Sequence, residues 1–221
     1  MSRAIKILLG VVVLAGILQW GVPKWVGNQV AQGIQREDKG SRPTVSIAAV
    51  PFWILLNGKF QQVTVSAAHV ALGSLVAQKI LLTWDNGQIS VPDLEKNRVK
   101  ILQQGSIAAT VAISQNELSH LVAAQTPIQD PKISITPSGV GLTGWVTVAG
   151  LRLPLQAQGQ LILNVHHQTI MYHPTSVDGM DVPVLTNIQV FAMHQITLPV
   201  AMTMQSLTLK THHLVVKAHS T

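Results

Sequence analysis

The sequence has no cysteine, so disulfide staples, thiolate metal sites and cysteine nucleophiles are excluded. Charge is scarce: Asp, Glu, Lys and Arg are 11% of the 221 residues, against about 25% in an ordinary soluble domain. The nine carboxylates are dispersed and form no visible acid/base pair. Aromatic residues are 4%, too few to suggest stacking platforms for sugars or bases. One long uncharged apolar run is present, which argues against a multi-span membrane protein. No Gly-x-Ser-x-Gly elbow, P-loop, dinucleotide fingerprint or His-Glu-x-x-His stands in the chain. The expectation is a protein that is not an enzyme and uses no cofactor.

What is abundant is aliphatic. Apolar residues reach 47% and mean hydropathy is +0.34, which excludes a disordered, solvating chain. The formal net charge is +6. Its cations are scattered, and Lys96-Asn97-Arg98-Val99-Lys100, the nearest to a cluster, reads as a solvated strand or turn. Nucleic-acid binders concentrate cations on one face, so nucleic acid is not an expected partner. A mildly basic protein does gain attraction to an anionic membrane surface.

Arg3 and Lys6 precede Ile7–Pro23, a stretch without charge. Cations ahead of an apolar run mark a signal anchor, with the rest of the chain outside the cytoplasm. Trp20 and Trp25 suit the outer interface of a membrane-spanning helix. The alternative is a cleaved signal ending at Val13-Leu14-Ala15, which gives a secreted protein. Residues 1–23 are accordingly assigned to the anchor and 24–221 to one β-rich domain. Val22, Val26, Val30 and Ile34 make an apolar helical stripe after Pro23.

From Thr44 the helical period gives way to alternation. Ile107, Ala109, Val111 and Ile113 share one side of a strand. Leu151, Leu153, Leu155, Ala157, Gly159, Leu161, Leu163 and Val165 do the same, with Arg, Pro, Gln and Asn mostly between them. Period two puts side chains on opposite faces, and an oily face backed by a wet one is an antiparallel pattern. Pro154 predicts a bulge or an edge position. Ser114-Gln115-Asn116-Glu117 is a capping box that opens a short helix buried through Leu118, Leu121 and Val122.

Nine histidines raise the question of metal. His166-His167 and His212-His213 read as adjacent strand residues whose side chains diverge, so neither pair is expected to share an ion. His173, Asp178 and Asp181 are the best remaining cluster, although Asp178-Gly179 is more simply a turn. No metal site is expected.

A long sheet with one apolar face must hide it, and only two short helices follow the N-terminal run. Curling the sheet around itself or around a helix solves the problem. The lining then either interdigitates into a solid core or leaves an elongated apolar cavity fit for acyl chains. Val30, Ile34, Ile107, Ala109, Val111, Leu155, Ala157, Leu161 and Leu163 are the candidate lining. In a tunnel, Trp at Ala109 or Ala157 would block uptake and spare the fold.

The segment Val45–Ala67 carries a resemblance. Its Pro51-Phe52, Leu55-Leu56, Gly58, Phe60 and Val63-Thr64-Val65 resemble the opening of the LmeA-like envelope proteins. Ser114–Leu118, Ile135–Val140 and Tyr172-His173-Pro174 resemble later parts of that family, so the likeness runs from about residue 20 to 218. Val182-Pro183-Val184-Leu185 and the glycine-free Thr211–Leu214 depart from its pattern. The resemblance implies a membrane-anchored, extracytoplasmic phospholipid-binding protein. It also implies a mostly β (α+β) fold of the tubular lipid-binding kind, a long curved antiparallel sheet around one or two helices. Phe52, Leu55, Leu56, Val63 and Val65 then join the candidate lipid site. Pro51 ends the first strand, and Gly58 supplies positive φ before the next. The oily segment between them is a core plug, a lid over a lipid entrance, or a tip that touches the bilayer. The alternative function is an accessory protein of cell-wall biogenesis with a solid core and a protein partner.

Overall fold

The computed structural model describes residues 43–72, 75–95, 100–177, 188–193 and 201–220. The segment expected to be an N-terminal anchor, the stripe expected through Val30 and Ile34, and the stretch holding Asp178 and Asp181 lie outside these residues. No described helix is long and apolar enough to cross a membrane.

The fold is mostly β, as the alternation requires. The strands are β1 (Thr44–Ala48), β2 (Gln62–Leu72), β3 (Leu75–Asp85), β4 (Gln88–Ile89), β5 (Ile101–Gln103) and β6 (Ser106–Ser114). They continue with β7 (Gln129–Thr136), β8 (Gly139–Val148), β9 (Leu151–Asn164), β10 (Thr169–Val177), β11 (Ile188–Ala192), β12 (Met202–Lys210) and β13 (His213–Ser220). A 3-10 turn spans Phe52–Asn57, and helices α1 and α2 span Val91–Glu95 and Gln115–Gln125. The hydrogen-bonded orders are β1-β2-β3-β6-β13-β12, β11-β10-β9-β8-β7 and β4-β5. The expected antiparallel sheet is present, divided into three hydrogen-bonded sheets.

Two compact units emerge, one of residues 1–67 and 81–108, the other of 68–80 and 109–221. In the first, β1 and β2 run antiparallel, Thr44 opposite Ser66 and Ala48 opposite Gln62. The connection between them is tied down. Gly58 closes the 3-10 turn at φ 69°; its N–H donates to Leu55 O at 2.9 Å and its carbonyl accepts from Ile89 N at 3.0 Å. A Cβ on Gly58 would stand 1.9 Å from Ile89 O, so only glycine fits. In the same unit the Phe60 and Trp84 rings meet edge to face, centroids 4.9 Å apart.

The second unit is organised by β9. Leu155, Ala157 and Leu161 are buried while Gln156, Gln158 and Gln160 are exposed. Val140 faces Gly159 and Leu142 faces Ala157 across β8. Pairing with β10 stops at Ala157–Val177 among the described residues, so Pro154 sits where β9 is paired on the β8 side alone and its missing donor is tolerated. Gly159 makes room for Tyr172: a Cβ there would lie 2.8 Å from the ring and 2.4 Å from His173 O.

α2 packs against β7 and β11, the two edges of the five-stranded sheet, so the sheet curls about the helix. Its Leu118, Leu121 and Val122 are buried, as the spacing predicts. The Ser114 hydroxyl accepts from Glu117 N–H at 3.2 Å, but the Glu117 carboxylate does not return to the cap. It accepts instead from Val76 N–H of β3 at 2.7 Å. Ser114→Ala should cost about 1 kcal/mol, read as a lowered urea midpoint. Further cover comes from β12, which packs on β7 and β9. Met204 of β12 and Leu214 and Val216 of β13 join Leu155, Ala157 and α2 in one buried cluster. The layer that two short helices cannot provide is supplied here by other strands.

Tyr172, the sole tyrosine, is buried at 3% exposure with its hydroxyl 3.5 Å from Val140 O. Burial disfavours the phenolate and pushes its pKa from 10.0 up to about 12. The folded value lies above the unfolded one, so this stabilising effect is whole below pH 10 and is lost as pH rises to about 12. Tyrosinate absorbance of the folded protein should therefore appear late. The stability difference between the parent and Tyr172→Phe should shrink across that window.

Candidate functional site

The unit of residues 1–67 and 81–108 holds an apolar face of a different quality. Register places Val45 opposite Val65 and Ile47 opposite Val63, and directly opposed residues share a face. All four are half-buried. Ala67, next along the same side of β2, is buried at 8% exposure. The other face carries the pairs Thr44–Ser66 and Ser46–Thr64. Four aliphatic side chains thus form a contiguous face that the protein covers only in part. A face of this kind gains about 25 cal/mol for each Å² of apolar surface taken from water.

The sequence-predicted residues do not gather in one place. Val63 and Val65 stand together on the half-covered face. Leu55 is half-buried on the 3-10 turn and Leu56 is 71% exposed, while nothing is described of the Phe52 side chain. Ile107 is buried in the same unit. The remaining described residues belong to the other unit. Leu155, Ala157 and Leu161 lie inside its buried cluster, Val111 and Leu163 pack against that cluster, and Ala109 is buried at 7% exposure. Val45 and Ile47 escaped the reading of the sequence; the alternation Val45-Ser46-Ile47 was their signal, and only the register makes them partners of Val65 and Val63.

Polar chemistry is sparse around these strands. Gln62 Nε2 donates to Asp85 at 2.9 Å, and Lys59 is exposed. Among the described residues no group of three His, Asp or Glu could hold a metal ion. His173 is exposed on β10, but Asp178 and Asp181 lie outside the described residues. His166 and His167 prove to be turn residues between β9 and β10, not strand residues. Asn164 Oδ1 accepts from His167 N–H at 3.1 Å and closes that turn. His212 likewise sits in the β12–β13 turn, at φ 65°. Its N–H donates to Ile135 O and its carbonyl accepts from Gln115 N, both at 3.1 Å, which pins the hairpin to the start of α2. What the half-covered face can do chemically is take up hydrocarbon.

No curated protein and no solved structure matches the chain. A family model described as LmeA-like phospholipid-binding matches residues 17–219. That span includes the half-covered face, the 3-10 turn and the core of the second unit, and the chain belongs to the LmeA-like phospholipid-binding family.

Proposed function

We propose that the protein binds phospholipid, or another acyl lipid, along the face formed by Val45, Ile47, Val63 and Val65. Acyl chains lie against these side chains and the headgroup stays in water. Each methylene withdrawn from water contributes about 0.8 kcal/mol. The family supports the ligand class. The observation that carries the location is the contrast between this half-buried face and the closed packing around Leu155 and Ala157. The protein works by binding alone. Its N-terminal segment anchors it in the cell membrane with the β-rich part extracytoplasmic, where it serves envelope lipid handling.

Lipid extraction from the purified full chain, followed by mass spectrometry, tests the reading. Near-stoichiometric phospholipid is expected. Protein that carries none, and takes none up from phosphatidylglycerol vesicles, would leave the accessory role with a protein partner as the better account.

A further inference from the structure

The 3-10 turn is oily where turns are usually polar. Val50 is 60% exposed, Trp53 56% and Leu56 71%. A plug inside the core does not have such exposures. The turn is not loose either: besides the bonds at Gly58, Ile54 N–H donates to Pro51 O at 3.2 Å and Lys59 N–H to Ile54 O at 3.1 Å. From the flank, Gln88 Nε2 donates to Asn57 O at 2.9 Å and Gln61 Nε2 to Val50 O at 2.8 Å. Ala49 and Phe60, buried at 2% and 6% exposure, bracket the segment. Much of the backbone here is hydrogen-bonded, and Val50, Trp53 and Leu56 stand exposed on it.

We propose that this turn, with Val50 just ahead of it and Trp53 and Leu56 on it, is a docking tip that enters the interfacial layer of an anionic phospholipid bilayer. Size and charge favour that occupant. A stable protein interface needs about 800 Å² from each partner, more than a six-residue turn offers, whereas a bilayer asks only for a few side chains of the right depth. Trp prefers the water–lipid interface, with its ring among headgroups and apolar neighbours below. From Thr44 to Ala67 there is no Asp or Glu, and the one charge is Lys59, exposed just past the tip. A cation at that place meets anionic headgroups as the tip enters. The proposal rests on the lipid-binding reading and adds to it where the protein touches the membrane that supplies its ligand.

The cysteine-free sequence allows a direct test on the full chain. Leu56→Cys and, as a control on an exposed position of β9, Gln156→Cys each carry one environment-sensitive fluorophore. Both variants are reconstituted in vesicles of phosphatidylcholine with a minority of phosphatidylglycerol. The label at 56 should brighten several-fold and be quenched by lipids brominated on their acyl chains; the label at 156 should do neither. Emission of the parent minus that of Trp53→Phe gives the same reading without a label, and a blue shift with bromolipid quenching is expected. A position-56 label that stays dim and open to aqueous quencher overturns the proposal, as does a Trp53 signal untouched by bromolipid. Brightening without vesicles that grows with protein concentration overturns it too, in favour of self-association. Lipid mass spectrometry on the same preparations before they meet vesicles separates the two readings: bound phospholipid followed by a dry tip defeats docking alone, and an immersed tip on protein that was purified lipid-free defeats the binding face alone.

Discussion

Val63→Thr combined with Val65→Thr should reduce the phospholipid that co-purifies with the protein by at least tenfold. The substitution keeps β-branching and shape, so β2 loses no strand preference. It places two hydroxyls on the face where acyl chains are proposed to lie. Without a partner, a hydroxyl against hydrocarbon costs roughly 1–3 kcal/mol, and about 1.4 kcal/mol is tenfold in affinity. In the lipid-free protein the same hydroxyls are half-exposed and reach water, so the urea midpoint should move by no more than about 1 kcal/mol equivalent.

Ala157→Trp is the counterpart. Ala157 is 1% exposed and faces Leu142 across β8. An indole at that position must displace packed neighbours, at about 1–3 kcal/mol or more. Lipid retained by the double threonine variant and lost from a stably folded Ala157→Trp would move the binding site to the second unit. Loss from the threonine variant, with Ala157→Trp merely destabilised, would keep it on β1 and β2.

Local features were legible because they depend on neighbours in the chain. The alternation from Leu151 to Val165 becomes β9 almost residue for residue, the Ser114 hydroxyl caps its helix, and Gly58, lacking a Cβ, takes the left-handed position. What covers an apolar face is not local. Alternation says that Leu155 and Ala157 point inward, but it is silent on whether a helix, a strand or a ligand meets them. Here α2 shares the task with Met204 of β12 and Leu214 of β13, some fifty residues away. The same limit hid Val45 and Ile47, whose meaning comes from register with Val65 and Val63. His166-His167 misled because two residues are too few to show a period, and the turn is set by Asn164 and Gln168 beside them. Gln168 takes φ 51°, and its side-chain oxygen accepts from Met204 N at 2.5 Å, a contact thirty-six residues apart.

Leu118→Ala should give the largest loss of stability. Leu118 is fully buried in α2, beside Leu121 and Val122, where the helix packs against both β7 and β11. Truncation removes the transfer free energy of the side chain and leaves a cavity that a curled sheet closed by strands cannot collapse. The expected cost is about 2–5 kcal/mol, and it grows by about 24 cal/mol for each Å³ left empty. Urea unfolding with an unchanged slope would assign the loss to the folded state. Asn116→Ala, on an exposed position of the same helix, should stay within about 0.5 kcal/mol of the parent. The same variant also bears on where hydrocarbon lies. A sheet lined by its own side chains has nothing with which to fill the gap, so the full cost appears and the lipid load is unchanged. A sheet lined by acyl chains would let them advance into the space; Leu118→Ala would then cost little and carry more lipid. Near-parental stability with a raised phospholipid content would mean that lipid, not β12 and β13, covers the apolar side of β9.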